Sequence, residues 1–221
     1  MSYASNSHSA YQLVVFDWDG TLMDSIGRII DCLRDMSHDL DLETPSEQAC
    51  RDVIGLSLST AVNQLFPRVG STTQEALQMR YRHHFARRAD EPLPLFAGVE
   101  QLLTELQQRD IQLAVATGKS RAGLDRMLAQ TGLGRFFSHS RTADEAQSKP
   151  HPDMLQQLLG VTGIAAKHSM MVGDSLLDLS MANSAGLAAV GVSYGAHGEQ
   201  KLLSCQPKAV IHQPLELLAH I

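Results

Sequence analysis

An apolar run, Leu13-Val14-Val15-Phe16, breaks off into Asp17-Trp18-Asp19-Gly20-Thr21, and this junction constrains the chain more than any other feature. β-Branched and aromatic residues closed by an Asp/Gly cluster predict a short buried strand feeding a turn. The two carboxylates at alternate positions then lie at the strand's carboxyl end, where open α/β sheets place their ligands. An ordinary Asp-Gly surface turn fits the same residues, so the rest of the chain has to decide.

After Thr21 no good strand candidate occurs until about residue 91. Asp24 and Ser25 can cap a helix that carries Ile26, Ile29, Ile30 and Leu33 at helical spacing. Thr44-Pro45-Ser46-Glu47 combines a capping box with proline at the first helical position, and Gly55 should stop that helix. A short helix is expected over 59–66, ended by Pro67. Thr72-Thr73-Gln74-Glu75 reads as another capping box, opening a long helix through Leu77, Tyr81 and Phe85.

Glu91-Pro92-Leu93-Pro94 reads as a return linker, and beyond it helix and strand alternate. Helices are expected over the stripe Val99, Leu102, Leu103 and Leu106, from Ser120 to the C-terminal glycine Gly132, and over 152–159 and 177–185. Strands are expected over 111–116, from Phe136-Phe137, over 169–172 and 187–192, and at the edge over 209–211. This alternation implies an α/β fold, a Rossmann-like doubly wound parallel sheet with helices on both faces. Its core would comprise residues 12–23 and 92–221. The helices of residues 24–91 would form an inserted α-helical cap domain over the sheet's carboxyl edge.

A chain of 221 residues, 43% hydrophobic and 19% charged, has the composition of a globular protein. A net charge of −6 gives no basic footprint for nucleic acid or an anionic membrane. No apolar stretch reaches the ~20 residues of a membrane span, and the polar start, residues 1–12, lacks the regions of a signal peptide. Cys32, Cys50 and Cys205 are odd in number and contain no CxxC pair, so neither a disulfide framework nor a zinc site is expected. The expected compartment is the cytoplasm.

Each later strand ends in a group suited to phosphate chemistry. Thr117-Gly118-Lys119-Ser120 offers a hydroxyl and backbone N–H groups at a helix entrance, and equally a helix cap. Ser148-Lys149-Pro150-His151-Pro152 holds a lysine in stiffened backbone, and equally a surface turn. Gly173-Asp174-Ser175-Leu176-Leu177-Asp178 places two carboxylates one helical turn apart, suited to a hard cation such as Mg²⁺, with a capping Asp-Ser pair as the plainer reading. Four such groups in one order, each at a strand's end, carry more than any one alone.

Together these motifs, over about residues 12–215, resemble the haloacid dehalogenase superfamily of phosphohydrolases, and within it the phosphoglycolate phosphatase-like branch. Trp18 stands where such proteins more often carry a smaller apolar residue. The resemblance implies that Asp17 is a nucleophile forming an aspartyl-phosphate, and that Asp19 is general acid and then base. It further implies Mg²⁺ held by the Asp17 and Asp174 side chains and the Asp19 carbonyl. Thr117 and Gly118 would bind phosphoryl oxygens, Lys149 would supply positive charge, and Asp178 and Ser175 would support. The presence of Asp19 disfavours dehalogenase and phosphonatase chemistry. Phosphatase is the expected class, with phosphomutase, pyrophosphatase and a non-catalytic binding module as alternatives.

Substrate choice is expected to lie in the cap. Gly55-Leu56-Ser57 is the loop expected to face the site, although a plain helix–helix turn would look the same. The basic run Arg80, Arg82, His83, His84, Arg87 and Arg88 fits an anion-attracting surface, and better a solvated helix face. His151 is expected to be structural, and His8, His212 and His220 to be on the surface. Phosphoglycolate is the substrate the resemblance implies first, followed by sugar phosphates and nucleoside monophosphates. Cap closure would hinge near residues 23–25 and 92–96.

Overall fold

The computed structural model describes residues 10–88 and 91–221. His8 and most of the polar start, residues 1–9, lie outside the described residues.

Six strands form one parallel sheet in the order β3-β2-β1-β4-β5-β6. They are β1 (Leu13–Phe16), β2 (Gln112–Thr117), β3 (His139–Thr142), β4 (Ser169–Gly173), β5 (Ala188–Val192) and β6 (Ala209–Ile211). β1 lies between β2 and β4, and all four of its residues are buried. A strand covered on both faces needs such an uninterrupted apolar run. The period-two alternation divides it: Val14 and Phe16 join one apolar cluster, Leu13 and Val15 the other. Two helices, α5 (Val99–Gln108) and α6 (Arg121–Thr131), cover the first face. The second is covered by α7 (Asp153–Thr162), α8 (Leu176–Ala185) and α9 (Glu199–Leu203).

Between β1 and α5 run α1 (Ile26–His38), α2 (Glu47–Val53), α3 (Leu58–Leu65) and α4 (Ser71–Arg87). These four pack around a third apolar cluster of Ile26, Ile30, Leu33, Met36, Val62 and Leu77, among others. The chain's exit to this helical block and its return are hydrogen-bonded to each other. Asp24 N–H donates to Pro94 O at 2.9 Å and Phe96 N–H to Leu22 O at 3.1 Å, flanking a Met23–Leu95 bridge.

Several local expectations shift. Ser46, not Thr44, caps α2 by accepting from Ala49 N–H at 3.2 Å, so Pro45 precedes the cap. α4 starts after Gly70 with no side-chain cap, so Thr72-Thr73-Gln74-Glu75 lies inside the helix. Phe136 closes a 3-10 turn over Leu133–Phe136, and the strand begins only at His139. Leu133 and Phe136, three apart, both bury into the core from that turn, which explains their apolarity without a strand. The edge strand itself, His139-Ser140-Arg141-Thr142, is polar because it is only half covered.

The three cysteines are free. No described helix is long and apolar enough to cross a membrane. Trp18 is wholly buried and meets Phe137 edge-on at 6.4 Å.

Candidate active site

The four sequence motifs converge at the carboxyl edge of the sheet. Asp17 directly follows β1, and its N–H donates to Val172 O of β4 at 2.9 Å, which continues the sheet pairing by one residue. Its carboxylate is 1% exposed. Lys149 Nζ donates to Asp17 Oδ1 at 2.7 Å and to Asp178 Oδ1 at 2.6 Å. Asp17 Oδ2 is buried with no hydrogen-bond partner. Lys149 is thus no surface lysine. It is held by two carboxylates in a fully buried position, next to a cis bond to Pro150.

Asp178 is the third residue of α8, and it closes a capping box with Ser175. Asp178 Oδ2 accepts from Ser175 Oγ at 2.6 Å and Ser175 N–H at 3.2 Å. The capping and chemical readings of this motif are therefore both realised. One oxygen caps the helix, and the other holds Lys149. Asp174 is also buried, with Oδ2 accepting from Ala196 N–H at 2.6 Å and Oδ1 from Thr21 Oγ1 at 3.3 Å.

Two glycines make room for this cluster. Gly20, at φ +81°, would drive a Cβ into Asp174 Oδ2, and a Cβ on Gly195 would overlap Asp174 Cβ. Gly20 and Thr21 belong to the first motif, but nothing in the sequence marks Gly195 and Ala196. Only the fold brings the loop after β5 against β4.

Asp17, Asp174 and Asp178 each offer an oxygen within 4.8 Å of the others. Three buried carboxylates face one buried ammonium here, so full ionisation leaves two uncompensated negative charges. Burial first, opposed by Lys149 and reinforced by Asp178, pushes the Asp17 carboxyl up to about 7. Burial, then Asp17 and Asp178, raises Asp174 well above the usual carboxylate range. Burial works against the Lys149 ammonium, but Asp17 and Asp178 outweigh it and hold its pKa above the usual lysine value. A donor-free carboxylate oxygen beside an excess of negative charge fits a hard divalent cation. Of the three, Asp17 Oδ2 is the side-chain oxygen with no hydrogen-bond partner, because Asp174 and Asp178 each have both oxygens engaged.

Asp19 points a different way. Its Oδ1 accepts from Ser25 Oγ at 2.5 Å and pairs with Lys119 Nζ at 2.9 Å. Ser25 is the N-cap residue of α1 but accepts no cap hydrogen bond there, and its hydroxyl donates to Asp19 instead. Lys119 lies inside the Thr117-Gly118-Lys119-Ser120 motif, yet nothing in the sequence pairs it with a carboxylate a hundred residues away. Thr117 is buried at the end of β2, with Oγ1 accepting from Lys119 N–H at 3.2 Å. Ser120 takes the cap of α6 by accepting from Gly123 N–H at 3.3 Å.

The helical block roofs this edge. A Cβ on Gly118 would come within 2.5 Å of both Gly55 O and Leu56 O, so the two loops touch through their main chains. Ser57 N–H donates to Ser148 Oγ at 3.0 Å. The Gly55-Leu56-Ser57 loop thus does face the site, and a cavity of about 740 Å³ opens between the two parts. It is lined by Asp17, Asp19, Thr117, Gly118 and Lys119 from the sheet edge, and by residues of α1–α4 opposite.

Half of the basic run, Arg80, His84 and Arg88, ties α4 and the residue after it to the carboxyl end of α1. Arg88 Nη2 pairs with Asp35 Oδ2 at 2.6 Å and His84 Nε2 with Asp39 Oδ2 at 2.9 Å, while Arg82 alone of the run lines the cavity. His151 is exposed and its Nδ1 accepts from Asp153 N–H at 3.2 Å, a structural role; His212 is exposed, and His220 is half-buried.

The family model of haloacid dehalogenase-like hydrolases matches residues 14–192. The chain is 34% identical to the probable phosphatase IndB of Dickeya dadantii, over 90% of this chain and 88% of that protein. It is 28% identical to a phosphoglycolate phosphatase of Pectobacterium atrosepticum, over 95% and 92% of the two chains. Its fold matches a crystal structure described as a predicted phosphoglycolate phosphatase from Haemophilus somnus, with TM-score 0.84, 23% identity and coverage of 96% and 98%. With that match spanning all four motifs, the chain belongs to the haloacid dehalogenase-like hydrolase family.

Proposed function

We propose that this phosphatase is Mg²⁺-dependent and hydrolyses a small phosphomonoester through an aspartyl-phosphate on Asp17. The observation that carries the reading is the Asp17 carboxylate, with one oxygen fixed by buried Lys149 and the other free of any donor. A carboxylate held in this way keeps one oxygen oriented for in-line attack.

In the first step the Asp17 carboxylate attacks phosphorus, and the bond from phosphorus to the ester oxygen breaks. Asp19 gives a proton to the departing alcohol. In the second, Asp19 takes a proton from water as that water attacks phosphorus, and the P–O bond to Asp17 breaks to release phosphate. Ser25 and Lys119 hold Asp19 in place for both proton transfers. Thr117 Oγ1 and Gly118 N–H bind phosphoryl oxygens at the entrance of α6. Lys149 fixes Asp17 and offsets its charge, while Asp178 and Ser175 fix Lys149.

The cation would be held by the Asp17 and Asp174 carboxylates and the Asp19 backbone carbonyl. It supplies positive charge against the repulsion between a carboxylate and a dianionic phosphate. Residues 24–91 act as a cap that closes over the bound ester, with residues 23–25 and 92–96 as hinges; the backbone pairing between those two segments keeps them moving together.

The test is phosphate release from phosphomonoesters and pyrophosphate, with and without Mg²⁺, beside the Asp17→Asn variant. Metal-dependent release that falls at least ~10³-fold in the variant is the expected result, on the scale of losing a nucleophile. Undiminished release by the variant would sink the mechanism.

A further inference from the structure

The wall that the helical block presents to the active-site cavity is largely apolar. Ile29, Leu33, Val53, Leu56, Tyr81 and Phe85 all line it. Tyr81 and Phe85, one turn apart on α4, stack with ring centroids 6.0 Å apart and planes 30° from parallel. Burial, then the Asp19 charge, keeps the Tyr81 hydroxyl well above its usual range, so it stays neutral.

The cations lining the cavity are few. Lys119 is paired with Asp19, and its Nζ lies 5.3 Å from the centre of the Phe85 ring. Arg82 and Arg126 line it from exposed positions. Against this wall a buried carboxylate such as that of glycolate would lose its hydration, and the cations without a carboxylate partner, Arg82 and Arg126, lie at exposed positions away from the apolar surface. The cavity's 740 Å³ also lies in the range of pockets that enclose drug-sized ligands, ~300–1,000 Å³, far more than glycolate fills.

We propose, resting on the phosphatase reading above, that the alcohol released from the substrate carries an aromatic or heteroaromatic ring, which packs on the Tyr81–Phe85 wall while its phosphate sits at Thr117 and Gly118. The ring face meets apolar and aromatic side chains, and the polar edges of a heterocycle meet Gln78, Arg82 and solvent.

The experiment compares kcat/KM for nucleoside 5′-monophosphates and aryl phosphates with kcat/KM for phosphoglycolate and glycerol phosphate. Ring-bearing esters are expected to lead by at least ~10-fold, and the ratio to collapse by roughly 10–100-fold in Tyr81→Leu, which keeps apolar bulk but removes the ring. Binding of the free nucleosides to Asp17→Asn gives a second readout that needs no turnover, and should weaken in the Asp17→Asn/Tyr81→Leu double variant. Preference for phosphoglycolate or glycerol phosphate, or an unchanged ratio in Tyr81→Leu, would overturn this proposal and leave the phosphatase reading intact. Metal-dependent release from none of the esters would overturn both.

Discussion

The sheet edge and the helices above it bury different things at the same cavity. Below, Asp17, Asp174, Asp178 and Lys149 are all 1% exposed or less, and each side chain is fixed by a named partner in another element. Above, the wall is mainly Leu33, Leu56, Tyr81 and Phe85, held chiefly by apolar packing. Buried charge is costly unless paired, so the lower half tolerates almost no substitution. Apolar packing accepts volume-conserving exchanges for well under ~1.5 kcal/mol, so the upper half can be rebuilt. Under the proposed function, chemistry and selectivity fall into these two separate physical regimes.

The sharpest way to break that contrast is Lys149→Met. It strands two buried carboxylates, Asp17 and Asp178, without their common donor. Activity should fall at least ~10³-fold for every ester alike, with a stability loss of about 3–5 kcal/mol measured by denaturant unfolding. A loss confined to some substrates would show that the lower half also selects.

Gly118→Ala tests the seam between the halves. Its Cβ would meet Gly55 O and Leu56 O at 2.5 Å and lift the helical block from the phosphate loop. The expected outcome is a ~10–100-fold drop in kcat/KM, since small misplacements of bound groups cost that much. Wild-type rates would mean that the contact plays no part in turnover.

The smallest effect is a pH dependence confined to the lower half. Asp17 is raised from 3.8 to about 7 in the folded protein, so its protonated form is favoured there. That contribution is fully present below pH 3.8 and is lost as pH rises through 7. Metal-free protein should therefore lose stability from acid towards pH 8, and Mg²⁺, which binds the ionised carboxylates, should restore it. Thermal melts should show a Mg²⁺-induced rise in Tm larger at pH 8 than at pH 5.5 by about 2–6 °C. An equal rise at both would contradict the assigned cation ligands.

The same division governs what the sequence reveals. Asp17, Asp19, Thr117 and Asp174 stand out because they follow or close strands, where an apolar run stops at a polar cluster, whereas Lys149, seven residues past the polar strand β3, is marked only by the prolines after it. The parallel sheet and the helical insertion follow from the same punctuation. Tyr81 and Phe85 do not stand out, because a 3.6-residue apolar stripe looks alike whether it faces a core or a cavity. Lys119 and Gly195 owe their places to contacts between distant segments, with Asp19 and Asp174. Helix starts at Ser46 and Gly70 moved because adjacent Ser, Thr and Gly compete for the cap.

The seam at Gly118 has one more consequence. Because the two loops meet carbonyl to glycine, the joint does not read side-chain identity on the helical side. A helical block of different sequence would need position 118 bare and would also have to keep the side-chain ties elsewhere on the seam, Ser25 to Asp19 and Asp52 to His197 and Lys201. Under the proposed function, the sheet edge would act as a socket, and new substrate preferences would come from changing the plug.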